Sequence, residues 1–192
     1  LMNLLLNESR QYLEIFDLIR HIMFLHSRSC FESRTIYKFC FDCVKIPLYR
    51  ESMIRCLENA LITCTKADDA QHVVSSLICE ITSSIQSALK SDIELSKEFV
   101  LILSNSMKSF KPETITTLFI AYSFEILSQA VLVINNVDIF ELVLSAFIEL
   151  CQKNNQVYQY FLKKENQVYT YLSKFIKNMN FDKNETEILF KF

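Results

Sequence analysis

The chain has 192 residues, 51% of them hydrophobic, with two prolines and no glycine. That length can bury one or two cores. The missing glycine excludes most nucleotide-dependent and hydrolase chemistry, because P-loops, Rossmann turns and nucleophile elbows need glycine at fixed positions. The formal net charge of −2 points to no partner class by itself.

A helical period runs from end to end. Ser9 caps a first long helix with Leu13, Phe16, Ile19, Ile22, Met23 and Leu25 on or near one face. A second, shorter helix is expected over about Ser33 to Val44. Pro47 then sits in the first turn of a third, where proline is favoured, and Met53, Ile54, Leu57, Leu61 and Cys64 form its apolar stripe. After a Lys66-Ala67-Asp68 turn, Val73, Val74, Leu77, Ile78, Ile81, Ile85, Ala88 and Leu89 repeat at three and four and predict the most regular helix of the chain. Ser91 and Glu94 have capping-box spacing for a fifth helix through Phe99, Val100, Leu103 and Met107. Lys111-Pro112 separates it from a sixth, which runs to about Ile134. That helix is apolar on most sides, the pattern of a central helix. Asn135-Asn136 turns the chain, Asp138 with Glu141 signals the cap of a seventh helix, and Asn154-Asn155 ends it. The connections are two to six residues long, which favours antiparallel neighbours. The whole chain is expected to form a single all-α domain of about seven to nine helices, with Cys43–Pro47 as the best place for a subdivision.

One stretch repeats: Asn155-Gln156-Val157-Tyr158-Gln159-Tyr160 returns eleven residues later as Asn166-Gln167-Val168-Tyr169-Thr170-Tyr171. Eleven residues are close to three helical turns, so the copies share a face if one helix carries both. Alternatively, Lys163-Lys164-Glu165-Asn166 is a turn between a short helix and a longer one. In that second form, residues 138–178 resemble the three-helix unit of armadillo repeats, although the glycine usual in its turn is absent, which leaves HEAT-like pairs open as well. The resemblance implies an α-solenoid segment in which each helix pair buries its stripe on the next. A compact helical bundle is the alternative architecture.

Charge and cysteine usage narrow the setting. Residues 1–66 hold nine Lys/Arg against seven Asp/Glu, residues 67–150 four against eleven, and residues 151–192 seven against four. The acidic middle favours a basic partner there, although an ordinary solvated surface has the same look. The longest uncharged stretch, Ile126 to Val137, is twelve residues, short of the about 18–20 needed to span a membrane, and no secretory pattern opens the chain. The first residue is Leu1 rather than Met, which reads as a domain taken from a longer protein. Seven cysteines show no disulfide framework, and most sit at apolar helical positions. This predicts a reducing compartment, cytoplasm or nucleus.

Few residues suggest chemistry. His26, Cys30, Cys40 and Cys43 combine two spacings used by zinc, but Cys40 and Cys43 fall in a helical run where i, i+3 thiols are ordinary buried positions. His72 and Cys79 lie two helical turns apart, beyond hydrogen-bond reach. No cofactor and no catalytic activity are expected. Lys163, Lys164 and Lys174 with Tyr158, Tyr160, Tyr169 and Tyr171 combine charge and stacking groups, a weak nucleic-acid footprint that fits a protein-binding edge better. The apolar Ile188, Leu189, Phe190 and Phe192 need cover, from this chain, a partner or a second copy. The expected function is a non-catalytic scaffold that presents a helical groove or end face to another protein. A self-associating bundle is the first alternative and a nucleic-acid-binding module the second.

Overall fold

The computed structural model describes residues 34–66, 71–111 and 117–178, with 17, 18, 21, 22, 25 and 26 ahead of them. These residues form eight helices and no strand: α1 Arg34–Val44, α2 Pro47–Lys66, α3 Gln71–Ala88, α4 Ile93–Met107, α5 Thr117–Ile134, α6 Val137–Lys153, α7 Asn155–Lys163 and α8 Glu165–Asn178. The protein is all-α, as its periodicity requires. The expected first helix, from Ser9, lies almost entirely outside the described residues. None of the described helices is long and apolar enough to cross a membrane.

Helix packing is local in sequence. α2 packs on α1, α3 and α4; α3 packs on α4 and α5; α4 packs on α5 and α6. α5 additionally meets α6, α7 and α8, and α7 bridges α6 and α8. One cluster of buried apolar side chains extends from Cys40 in α1 to Phe175 in α8. The stripe of α2 (Met53, Ile54, Leu57, Leu61, Cys64) and that of α3 (Val73, Val74, Leu77, Ile81, Ile85) are buried as their spacing predicts. α4 is buried on more than one side, with Phe99, Val100, Leu103 and Met107 accompanied by Ser96, Ser104 and Ser106. Those small side chains let neighbouring helices approach closely. α5 is apolar on most sides yet is not enclosed: Tyr122 and Val133 are exposed and Leu132 is only partly buried.

Two helix caps differ from the sequence expectation. Asp92, not Ser91, is the N-cap of α4: its Oδ1 accepts from the Leu95 amide at 3.0 Å. Ser91 still belongs to the preceding turn, where its amide donates to Ala88 and its hydroxyl to Ser87. Asn136, not Asp138, caps α6 by accepting from the Ile139 amide at 3.0 Å, which leaves Asp138 in the first turn, where a carboxylate complements the helix dipole. In both places an Asx side chain next to the helix start reaches the N3 amide and outcompetes the residue the motif nominated. Asn135 has φ 52°, the one positive φ among the described residues, so an asparagine fills the left-handed position usually given to glycine.

Asp92 also joins two helices. Its Oδ2 accepts from Arg50 Nη2 at 2.6 Å, and Arg50 Nε donates to the Val44 carbonyl at 3.3 Å. One guanidinium thus ties the end of α1 and the start of α2 to the start of α4. The other described ion pairs, Glu51–Arg55, Glu94–Lys97 and Asp42–Lys45, are local and largely exposed, the kind that adds little stability. At the far end of α4, the Lys108 carbonyl accepts a hydrogen bond from Lys153 Nζ, which anchors the last turn of α6.

Two predictions follow from these ends. The Leu95 amide first, then Arg50, hold the Asp92 carboxyl below its usual range. A lowered folded pKa contributes stability above the ordinary carboxylate value of about 4, and that contribution is lost as pH falls below it. Asp92→Asn keeps a good cap but loses the ion pair. It should therefore unfold at lower urea than the wild type at pH 7, with the gap closing below pH ~4. Asn135→Gly should be neutral or slightly stabilising and Asn135→Val destabilising by about 1–2 kcal/mol in the same assay, because a β-branched residue resists positive φ.

Candidate functional site

The eleven-residue echo falls on two helices, not one. Asn154 ends α6 and at the same time caps α7, its Oδ1 accepting from the Gln156 and Val157 amides. Lys164 then breaks the chain between α7 and α8. Each copy therefore opens its own helix, and the repeat sets matching residues on two neighbouring helices. Val157 and Val168 face inward, the first fully and the second partly buried. Tyr158 and Tyr169 stand exposed, and Tyr160 and Tyr171 pack half-buried against the core.

Between α5, α6, α7 and α8 lies an open, largely apolar groove of about 770 Å³. α5 contributes Phe124, Val131 and Leu132 to its wall; α6 contributes Phe140, Val143, Phe147 and Cys151; α7 contributes Tyr158, Phe161 and Leu162; α8 contributes Val168, Tyr169, Tyr171, Leu172 and Phe175. Ser128, Gln152 and Glu165 supply the few polar atoms. Phe124 organises the aromatic lining. Its ring meets Phe147, Phe161 and Tyr171 edge-on at centroid distances of 5.4, 5.0 and 5.7 Å. Phe147 meets Phe161 edge-on at 5.4 Å. At the other end Phe140 stacks on Phe175 at 3.9 Å, which fastens α8 to α6. Edge-to-face pairs of this kind add about 0.5–1.5 kcal/mol each beyond the area they bury.

Burial sets the titration of two groups at or beside the groove. Burial pushes the Cys151 thiol up, so at neutral pH it stays protonated and is a poor nucleophile. Burial, then the nearby Glu125 carboxylate, push the Tyr160 hydroxyl up as well. The remaining ionisable groups of the lining are Glu165 and the tyrosines Tyr158, Tyr169 and Tyr171.

Of the residues the sequence nominated, Tyr158, Tyr169 and Tyr171 come together on the groove. Tyr160 does not line it; its ring packs edge-on against Phe161 at 5.5 Å. Lys163, Lys164 and Lys174 are exposed and outside the lining, with Lys163 in the last turn of α7, where a cation suits the helix dipole. Ile188, Leu189, Phe190 and Phe192 lie outside the described residues. Of the zinc candidates, Cys30 lies outside them, His26 is exposed, and Cys40 and Cys43 are fully buried on the inner face of α1. Burial, with Asp42 adding to it, pushes the Cys43 thiol up to about 11. No cluster of three or more metal-ligating side chains occurs among the described residues. His72 and Cys79 are both exposed on α3.

The walls on α5 and α6 were missed in the sequence. The exposed apolar residues of α5, Tyr122 and Val133, lie outside the lining, while its wall residues Phe124 and Val131 are buried, so apolar spacing alone does not mark them. Comparison with protein-family models, curated proteins and solved structures finds no match to this chain.

Phe124→Ala should cost about 3–5 kcal/mol in urea unfolding, as truncation of a buried phenylalanine does. It should also speed amide exchange in α7 and α8 more than in α2 and α3, because the three rings it releases belong to α6, α7 and α8.

Proposed function

We propose that this chain is a non-catalytic interaction domain, an armadillo- or HEAT-like helical stack whose α5–α8 groove seats an amphipathic helix of another protein. The carrying observation is the groove itself. Tyr158 (48% exposed), Leu162 (48%) and Tyr169 (60%) present large apolar surface along its rim, beside an aromatic floor. Tyr158 and Leu162 are four residues apart and share one face of α7. An apolar helix face docks in such a groove through anchors at i, i+3, i+4 and i+7.

The volume lies within the range of small-molecule pockets, roughly 300–1,000 Å³. What favours a helix is the lining: a small ligand is oriented by a few convergent polar groups, whereas Ser128, Gln152 and Glu165 belong to three different helices and the rim is open and apolar. Two features support the stacked architecture. Helices pack mainly on their next and next-but-one neighbours, the pattern of a solenoid, and the long α6, short α7 and longer α8 follow the order of an armadillo unit. In this reading the exposed Lys163, Lys164 and Lys174 set orientation and on-rate, while the groove supplies affinity. The protein acts inside the cell, in cytoplasm or nucleus, as part of a larger complex.

The test is affinity capture from native lysate with the wild-type chain and with Leu162→Glu in parallel. Leu162 is half-exposed, so the charge should leave the helical circular dichroism and thermal midpoint unchanged. One stoichiometric protein retained by the wild type and lost with Leu162→Glu is the expected result. A partner held equally by both chains, recovery of the chain alone as a dimer, or recovery of nucleic acid would count against it.

A further inference from the structure

We propose that the groove has an occupant in the same chain: the segment Ile188–Phe192 folds back onto it and competes with the partner helix. This rests on the α5–α8 groove being a docking site.

Reach is the first argument. α8 is a wall of the groove, and it ends at Asn178, three residues after Phe175, which lines the groove. Nine residues separate Asn178 from Ile188. Extended, they span up to about 30 Å. The α8 wall from Glu165 to Phe175 rises only about 15 Å at 1.5 Å per residue, so the segment can return along its full length. Asn180, Asp182 and Asn184 lie in that connection, residue types that favour chain reversal.

Chemical match is the second. Four of the five residues from Ile188 to Phe192 are apolar, two of them phenylalanines. Ile188 and Phe192 are four apart, the spacing of helix anchors. The surface they would meet is the aromatic lining already described. Charge is the third. Residues 155–178, which form α7 and α8, carry Lys163, Lys164, Lys174 and Lys177 against Glu165 alone, while residues 179–192 carry Asp182, Glu185 and Glu187 against Lys183 and Lys191. Acidic residues leading a hydrophobic anchor toward helices whose lysines, outside the groove lining, outnumber their one carboxylate give attraction of the right sign.

Tethering makes even a weak contact matter, because a short linker holds the segment at an effective concentration in the millimolar range. A partner must then displace it, and the apparent affinity falls by the fraction of open groove.

The experiment uses the whole chain and a fluorescein-labelled peptide of residues 185–192 as probe. The peptide is titrated into the wild type and into a chain carrying Leu189→Ser and Phe190→Ser. The double variant should bind the peptide at least ten-fold more tightly, and Leu162→Glu added to it should abolish binding. Equal affinity for wild type and double variant would overturn the intrachain contact while leaving the groove as a docking site. No binding to the double variant would overturn the proposal. A second measurement does not depend on that variant's folding. With p-benzoylphenylalanine in place of Leu189, irradiation should give a cross-link within one chain to α7 or α8. A cross-linked dimer would instead assign the cover to a second copy, and a cross-link to α1–α3 would overturn the proposal and count against the groove as well.

Discussion

Phe124 stands where four helices meet. From α5 it touches Phe147 of α6, Phe161 of α7 and Tyr171 of α8. Each contact is edge-on, the arrangement in which a ring's positive edge meets a negative face. Such contacts hold rings apart at defined angles rather than collapsing them into a parallel stack. With Phe140 stacked on Phe175 at the other end, α8 is fixed at two places, by Tyr171 to α5 and by Phe175 to α6. The groove is the consequence. Its floor is the aromatic cluster, and its rim is the outer face of two helices that have no further helix to lean on among the described residues.

Helix ends stabilise this assembly as well as rings. A chain without glycine has to stop its helices by other means, and here Asx residues do the work. Asp92, Asn136 and Asn154 each lend a side-chain oxygen to a helix start, and Asn135 takes the single positive φ among the described residues. Asp92 has a second function, since Arg50 links it to the end of α1. The Lys153–Lys108 contact anchors α6, one groove wall, to the carboxyl end of α4. The groove is therefore mounted on α4, which is buried on more than one side and packs on both α5 and α6.

Much of this was legible in the residues. Apolar spacing located α2 and α3, Pro47 marked the start of α2, and paired asparagines marked both ends of α6. Capping residues were harder, because Ser91 and Asp138 fit a motif while their neighbours Asp92 and Asn136 fit the geometry. A pattern of residue types does not decide which of two adjacent polar side chains reaches the N3 amide. The groove was half legible. Tyr158 and Tyr169 of the echo stand exposed on the groove, although the echo by itself left one helix or two open. Phe140, Val143 and Phe147 were hidden, because a residue lining a groove has the same helical spacing as one in a closed core. The number and placing of the covering helices distinguish the two, and apolar spacing within one helix does not record them.

The interaction-domain account makes the α5–α8 face the place where the chain meets its partner and leaves α1–α3 as support. Hydrogen exchange of the whole chain, with and without the protein it retains from lysate, tests that division most directly. The account predicts added protection concentrated in α7, α8 and the groove-facing turns of α6, with α1–α3 unchanged. Protection centred on α1–α3, with α7 and α8 unaffected, would contradict it.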